Sequence, residues 1–221
     1  MVTDKTSKTV PTFTIENNVL KGVSTPRLCR YTSVGQFLFD SLMKNSALVG
    51  QVDVVTEVEE TFGDIAERAI KCALWMQKQG VRAGDIIAVS SHNHLDSFTP
   101  CLAALFIGAS FNPWDCEMNT QLARHFMTLS QPKVIFANEK SVGVAIEASK
   151  IELFHPMFVC FGDYPGATPF SEVMSGHSES AVAHFRCTGI ADPAQTATLL
   201  YSSGTTGLPK CVQLTHRGLI H

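Results

Sequence analysis

Apolar and polar positions in this chain follow two periods, and the switching between them defines the fold. Apolar residues at 34, 37, 38 and 42 recur at helical spacing, with Ser33 in the N-cap place, predicting a helix over 34–45. The segment Gln51-Val-Asp-Val-Val55 alternates like a strand. Thr61 then caps a long predicted helix, 62–79, stopped by Gly80, with Phe62, Ile65, Ala69, Cys72, Ala73 and Met76 as its buried stripe. Further along, 81–85 reads as a turn, 86–90 as a strand, 97–107 as an apolar helix broken by Gly108, and 110–114 as a short strand. A helix over 120–129, a strand over 133–137, a helix over 141–148 and a strand over 157–160 follow. Residues 1–32 are polar and β-leaning and read as an irregular arm, whereas 33–221 form the body. Within that body, 161–190, with Pro165 and Pro169, reads as a surface connection carrying one short helix. The β-α-β-α alternation predicts an α/β fold, a mostly parallel sheet flanked by helices, with ligands at the carboxyl ends of its strands.

The end of the chain breaks this rhythm. An apolar strand, Thr196-Ala-Thr-Leu-Leu-Tyr201, runs into a loop rich in hydroxyls and glycine that Lys210 closes, and a second β-prone strand follows. Gly204 and Gly207 can take positive φ and turn backbone N–H groups inward as an anion nest. Ser202, Ser203, Thr205 and Thr206 add hydroxyl donors, and Lys210 adds a full charge. Each charge-assisted bond is worth on the order of 1.5–3 kcal/mol. A plain hairpin loop is the alternative, but turn loops rarely combine four hydroxyls, two glycines and a terminal lysine. A Walker loop fails because Pro209 precedes the lysine and Cys211-Val-Gln-Leu214 reads as a strand where a helix is required. The loop is read as a phosphate binder.

Composition narrows the classes further. With 221 residues, 45% of them hydrophobic, the chain can bury a sizeable core. Twenty acidic against seventeen basic residues give a formal charge of -3 without a basic block, which argues against nucleic acid as a partner. No apolar run approaches the ~20 residues that span a bilayer, and the first residues lack an apolar signal core, so an intracellular protein is expected. The seven cysteines are scattered and form no C-x-x-C pair. Cys72, Cys101 and Cys160 read as small core residues, and Cys211 stands beside the loop. His92 and His94 lie two apart at a strand end; without a third ligand they read as a solvated loop rather than a metal pair.

The run Leu200-Tyr-Ser-Ser-Gly-Thr-Thr-Gly-Leu-Pro-Lys210, with Val212-Gln-Leu-Thr-His216 after it, resembles the phosphate-binding signature of the acyl-adenylate-forming superfamily, notably insect luciferase-like acyl-CoA synthetases and 4-coumarate-CoA ligases. Gly80-Val-Arg-Ala-Gly84-Asp85 and Ser91-His-Asn93 resemble the same family, and the likeness covers about 33–221. The chain departs from the pattern at Cys211, where glycine is usual, and at Phe62, where tyrosine often stands. The resemblance implies a two-step reaction: a carboxylate attacks the α-phosphate of ATP, releasing pyrophosphate, and a thiol, usually coenzyme A, then takes the acyl group. It implies that Ser202, Ser203, Gly204, Thr205, Thr206, Gly207 and Lys210 hold the β- and γ-phosphates, with Thr205 or Thr206 also facing Mg²⁺.

The resemblance further implies that the adenine- and ribose-binding segments, a magnesium-holding glutamate, the acyl pocket, the hinge and the mobile lid with its lysine lie beyond His221. The expected object is therefore the amino-terminal, incomplete portion of an AMP-binding domain, with no catalytic residue of its own. A pocket for luciferin would also lie beyond His221, and the location implied is cytoplasmic or peroxisomal. Two expectations follow. Either the chain is part of an acyl-CoA synthetase, or it is a non-catalytic nucleotide- or anion-binding module whose exposed sheet edge and apolar face need a covering partner.

Overall fold

The computed structural model describes residues 13–22, 31–150, 155–202 and 207–220. Contacts divide the chain into two units, Met1–Arg30 and Tyr31–His221. In the first, β1 (Phe13–Glu16) and β2 (Val19–Gly22) form an exposed antiparallel hairpin. Its turn is made by Asn17 and Asn18 at φ 50° and 62°, a conformation asparagine tolerates better than most residues. The expected arm is thus a hairpin where it is described.

The second unit opens with α1 (Val34–Lys44), capped as expected by Ser33, whose hydroxyl accepts from the Gln36 N–H. β3 (Val49–Val52) and β4 (Glu59–Thr61) pair antiparallel. Here the expected strand over 51–55 is corrected: Asp53 accepts the N–H groups of Val55 and Thr56 and turns the chain at the point where alternation alone would extend it. α2 (Phe62–Lys78) begins in a capping box in which Thr61 and Asp64 satisfy each other's backbone N–H, worth about 1 kcal/mol.

Alternation then proceeds: β5 (Ile86–Ser90), α3 (Thr99–Phe106), β6 (Ser110–Pro113), α4 (Thr120–Ser130), β7 (Val134–Ala137), α5 (Glu139–Ser149) and β8 (Met157–Cys160). After these come β9 (Thr168–Pro169), α6 (Phe170–Met174), α7 (Glu179–Ala183), β10 (Thr196–Ser202), β11 (Lys210–Thr215) and α8 (His216–Ile220). The helix expected over 141–148 starts two residues earlier because Asn138 caps it, accepting from the Ser141 N–H. The segment 161–190 is more than a surface connection. It adds β9 to the sheet and buries Phe170, Val173 and Phe185 in the core, a contribution that its prolines and polar residues obscure.

One sheet carries the unit, in the order β11-β10-β6-β5-β7-β8-β9, parallel throughout except for the antiparallel β10–β11 pair. This is the predicted α/β architecture. Side-chain alternation divides the core between its faces. Ile87, Val89, Val134, Phe136 and Val159 pack with α2, α3 and α6, while Ala88, Ile135, Ala137 and Cys160 pack with α4 and α5. Among the described residues no helix is long and apolar enough to cross a membrane.

α1 reaches this core by crossing α3 at Gly35, where a β-carbon would lie 2.0 Å from the carbonyl oxygen of Leu105. Backbone on both sides leaves nothing flexible to yield. Gly35→Ala is therefore expected to destabilise the protein by about 2 kcal/mol or more, seen as a lower urea midpoint with an unchanged slope; an unchanged midpoint would show that α1 can shift freely.

Candidate functional site

Helices leave the sheet on opposite faces after neighbouring strands: β5 leads to α3 on one face, β6 and β7 to α4 and α5 on the other. Such a switch parts the loops at the carboxyl ends of the strands, which is where α/β sheets hold ligands. A hollow of about 570 Å³ bordered by Trp75, Gln79, Pro156 and Glu172 opens instead where β8 begins, away from those ends.

β10 and β11 present the loop whose composition suggests a phosphate binder. Ser202 and Lys210, both exposed, stand directly opposite each other as the last pair of the ladder, and Leu200 faces Val212 behind them. Ser203, Gly204, Thr205 and Thr206 lie outside the described residues. Gly207 takes φ +151°, a conformation that residues with a β-carbon rarely adopt.

Both stems of this loop rest on α4. The Tyr201 ring stacks on Phe126 with centroids 3.6 Å apart and 14° between planes. On the far side of the loop, His125 Nε2 donates to the Pro209 carbonyl over 2.8 Å. The first stem is fixed further by Asn112, a fully buried residue of β6. Its Nδ2 donates to the Leu199 carbonyl (2.8 Å), and its Oδ1 accepts from Trp114 Nε1 (2.6 Å) and from the Tyr201 hydroxyl (3.0 Å). Burial pushes the Tyr201 hydroxyl up from its ordinary pKa, which keeps it a donor. Ser110 Oγ donates to the Thr196 carbonyl over 2.7 Å at the start of β10.

At the other end of β11, the fully buried His216 ring accepts the Val34 N–H at Nδ1 over 3.1 Å, and burial pulls its pKa below the ordinary 6.5. The proton of the neutral ring is therefore on Nε2, which has no partner among the described residues. His94 is also pulled down, first by burial and then by the Arg68 charge. It accepts the Asp96 N–H at Nδ1 and meets Ser91 Oγ at Nε2, 3.0 Å away. His94 thus turns inward, its ring edge-on to Phe161, while His92 stays exposed, so the pair does not act as a unit. Cys72 and Cys101 are buried, with thiols pushed well up and up to about 12 respectively, as expected of inert core residues. Burial likewise raises Cys211, which keeps it a thiol rather than a nucleophilic thiolate.

A family model described as AMP-binding enzyme matches residues 43–221. The chain belongs to this family. It is 28% identical over 193 residues to luciferin 4-monooxygenase of Photinus pyralis, an alignment covering 84% of this chain and 35% of that protein. It is 30% identical over 185 residues to 4-coumarate--CoA ligase-like 5 of Oryza sativa subsp. japonica, covering 81% of this chain and 32% of that one. Among solved structures, the luciferase-like enzyme from the nonluminescent Zophobas morio mealworm superposes with a TM-score of 0.81 at 28% identity, over 88% of this chain and 45% of that one. The AMP-binding chain thus spans about a third of the length of the curated relatives it matches.

Asn112 and His125 were invisible as site residues in the sequence. They lie 87 and 84 residues from the backbone they hold, and the one available signal is an asparagine inside the short strand predicted over 110–114. Asn112→Ala, which strips a partner from the Leu199 carbonyl and the Trp114 indole and leaves the half-buried Tyr201 hydroxyl only the Phe126 carbonyl, is expected to cost at least about 2 kcal/mol by urea unfolding. A cost below half of that would mean that the clasp is dispensable. Because His94 and His216 bind protons more weakly folded than unfolded, stability is full above pH 6.5 and falls as the pH drops through and below it. The urea midpoint is expected to be lower at pH 5.5 than at pH 7.5, and less so in His216→Gln. Equal midpoints at the two pH values would contradict the burial of both rings.

Proposed function

We propose that this AMP-binding chain contributes the phosphate loop of an enzyme that uses ATP to activate a carboxylic acid as its acyl-adenylate and then passes the acyl group to a thiol, coenzyme A. The carrying observation is the placement of Ser202 and Lys210 as an exposed opposite pair at the mouth of a hairpin whose two stems are both pinned to α4. In this reading Ser202, Ser203, Gly204, Thr205, Thr206, Gly207 and Lys210 bind the β- and γ-phosphates. When the carboxylate oxygen bonds to the α-phosphorus, the bond to the bridging oxygen breaks and pyrophosphate leaves with the added charge. Lys210, set at the mouth of the pinned hairpin, and the hydroxyl and backbone donors of the loop would stabilise that charge.

The donor set of hydroxyls, glycine backbone and one lysine fits a polyphosphate. Mg²⁺ would be held from the protein side by Thr205 or Thr206, where it would neutralise phosphate charge. The likeness to a 4-coumarate-CoA ligase-like protein supports the thiol step. Residues 33–221 are read as the partial AMP-binding domain and 1–32 as its arm. The six described cysteines are all unpaired, which supports a reducing intracellular setting, cytoplasmic or peroxisomal.

The test is ATP–pyrophosphate exchange by the protein as purified from its source, across a panel of aliphatic and aromatic acids. Acid-dependent exchange is expected. Lys210→Ala is expected to lower kcat/KM for ATP roughly 10- to 150-fold, the loss of one charge-assisted contact, with the far-UV spectrum unchanged. Exchange that no acid stimulates would favour a non-catalytic anion-binding module, and unchanged kinetics for Lys210→Ala would remove the lysine from the phosphate site.

A further inference from the structure

The loops after β5 and β6 bring together three side chains that phosphate binding leaves unused. Cys116 Sγ lies 3.2 Å from His92 Nδ1 and 4.0 Å from its Nε2, and His92 Nε2 lies 3.4 Å from Glu117 Oε1. One nitrogen, one sulfur and one oxygen therefore fall within 4.8 Å of one another. We propose that His92, Cys116 and Glu117 form a binding site for a thiophilic divalent transition metal, with Zn²⁺ the best-fitting ion.

Bonds of about 2.0–2.3 Å in a tetrahedral zinc site place ligand atoms roughly 3.3–3.8 Å apart. With Nε2 as the nitrogen ligand, Glu117 Oε1 at 3.4 Å already stands in that range, and Cys116 Sγ at 4.0 Å has a few tenths of an ångström to close. The donors are also mixed in the way zinc prefers, since Mg²⁺ and Ca²⁺ select oxygen alone. A thiolate and a carboxylate supply two negative charges to the dication, beside the Lys140 ammonium that also faces Glu117, and the Cys116 proton leaves to solvent as the metal–sulfur bond forms. Lys140 is paired with Glu117 through Oε2, which leaves Oε1 free for the ion and makes the ammonium an outer partner that holds the carboxylate in place.

The backbone under the site is tied before any ion arrives. Trp114 N–H donates to the Val89 carbonyl (2.7 Å), Ser90 Oγ donates to the Asp115 carbonyl (3.3 Å), and Glu117 N–H donates to Asp115 Oδ1 (2.9 Å). The site sits where the β5 loop turns to one face of the sheet and the β6 loop to the other, the crevice in which this architecture places ligands. His92 and Glu117 keep side-chain exposures of 62% and 52%, so an ion has access and a fourth position is open to water or a ligand. His94 takes no part, its ring being held by Ser91 and Asp96.

Cobalt reports on the site directly, because a thiolate ligand gives a near-ultraviolet charge-transfer band and tetrahedral geometry gives intense visible bands. Titrating Co²⁺ into the reduced 221-residue chain is expected to produce both, with Zn²⁺ bleaching them and about one proton released per ion. Cys116→Ser is expected to abolish the charge-transfer band. His92→Ala and Glu117→Gln are expected to weaken binding by at least the roughly tenfold loss seen even for outer partners. All three positions are at least partly exposed, and an unchanged far-UV spectrum establishes that each variant folds. A chain that develops no such bands, or bands that survive Cys116→Ser, would overturn the proposal.

Discussion

The joint on which the structure turns is the side chain of Asn112. It is fully buried, and its amide is satisfied on both sides by groups from three places: the Leu199 carbonyl on β10, the Trp114 indole just beyond β6, and the Tyr201 hydroxyl at the mouth of the loop. Parallel β10 meets β6 with Thr198 opposite Phe111, and the carbonyls of Thr196 and Leu199 are taken by side chains of β6. A hydrophobic contact would hold the two strands together but would tolerate sliding. A buried amide bonded at both its oxygen and its nitrogen does not, since any shift leaves donors and acceptors stranded in an apolar setting. The terminal hairpin is thereby locked in register against the parallel sheet, and Tyr201 is carried to the place where it can stack on Phe126. His125, the residue before Phe126, then holds the returning stem through Pro209. Both stems of the hairpin are thus fixed on one helix, which limits how far they can move apart.

Much of this fold was legible because its information is local. The apolar runs of β5, β7 and β8 and the periodic stripe of α2 announce themselves over windows of a few residues, and Ser33 and Thr61 mark helix starts by chemistry that acts three residues away. The loop over 202–210 stands out for a different reason: its composition is improbable for an ordinary turn. Hidden instead was whatever depends on residues far apart in the chain. Nothing in the pattern distinguishes Asn112 from a polar interruption of a strand, or His125 from an exposed helical histidine. His92 has one neighbour by sequence and others by fold. Proximity in sequence pointed to His94, but the strand-loop-helix path sends His94 inward to Phe161 and brings His92 to Cys116 and Glu117, 24 and 25 residues on. Asp53 shows the opposite failure, in which a local hydrogen bond overrode a correct-looking alternation.

The period of two in β10 and β11 also divides labour between the faces of the hairpin. Tyr201 and Leu199 point toward α4 and its neighbours, supplying the stacking and burial that anchor the strand, and Cys211 lies opposite Tyr201 on that same side. Ser202 and Lys210 point the other way, exposed, with Leu200 and Val212 behind them at 38% and 43% exposure. Anchoring and exposure to solvent are therefore assigned to alternate residues of one short strand. A slip of a single residue would exchange them, burying a lysine against α4 and turning the tyrosine to water. The cost of burying an unpaired ammonium excludes that arrangement, so Lys210 helps specify the register that exposes it. In this hairpin the charge suited to phosphate and the aromatic ring suited to the core enforce one another's positions, and the chemistry of the loop is part of what makes it fold one way.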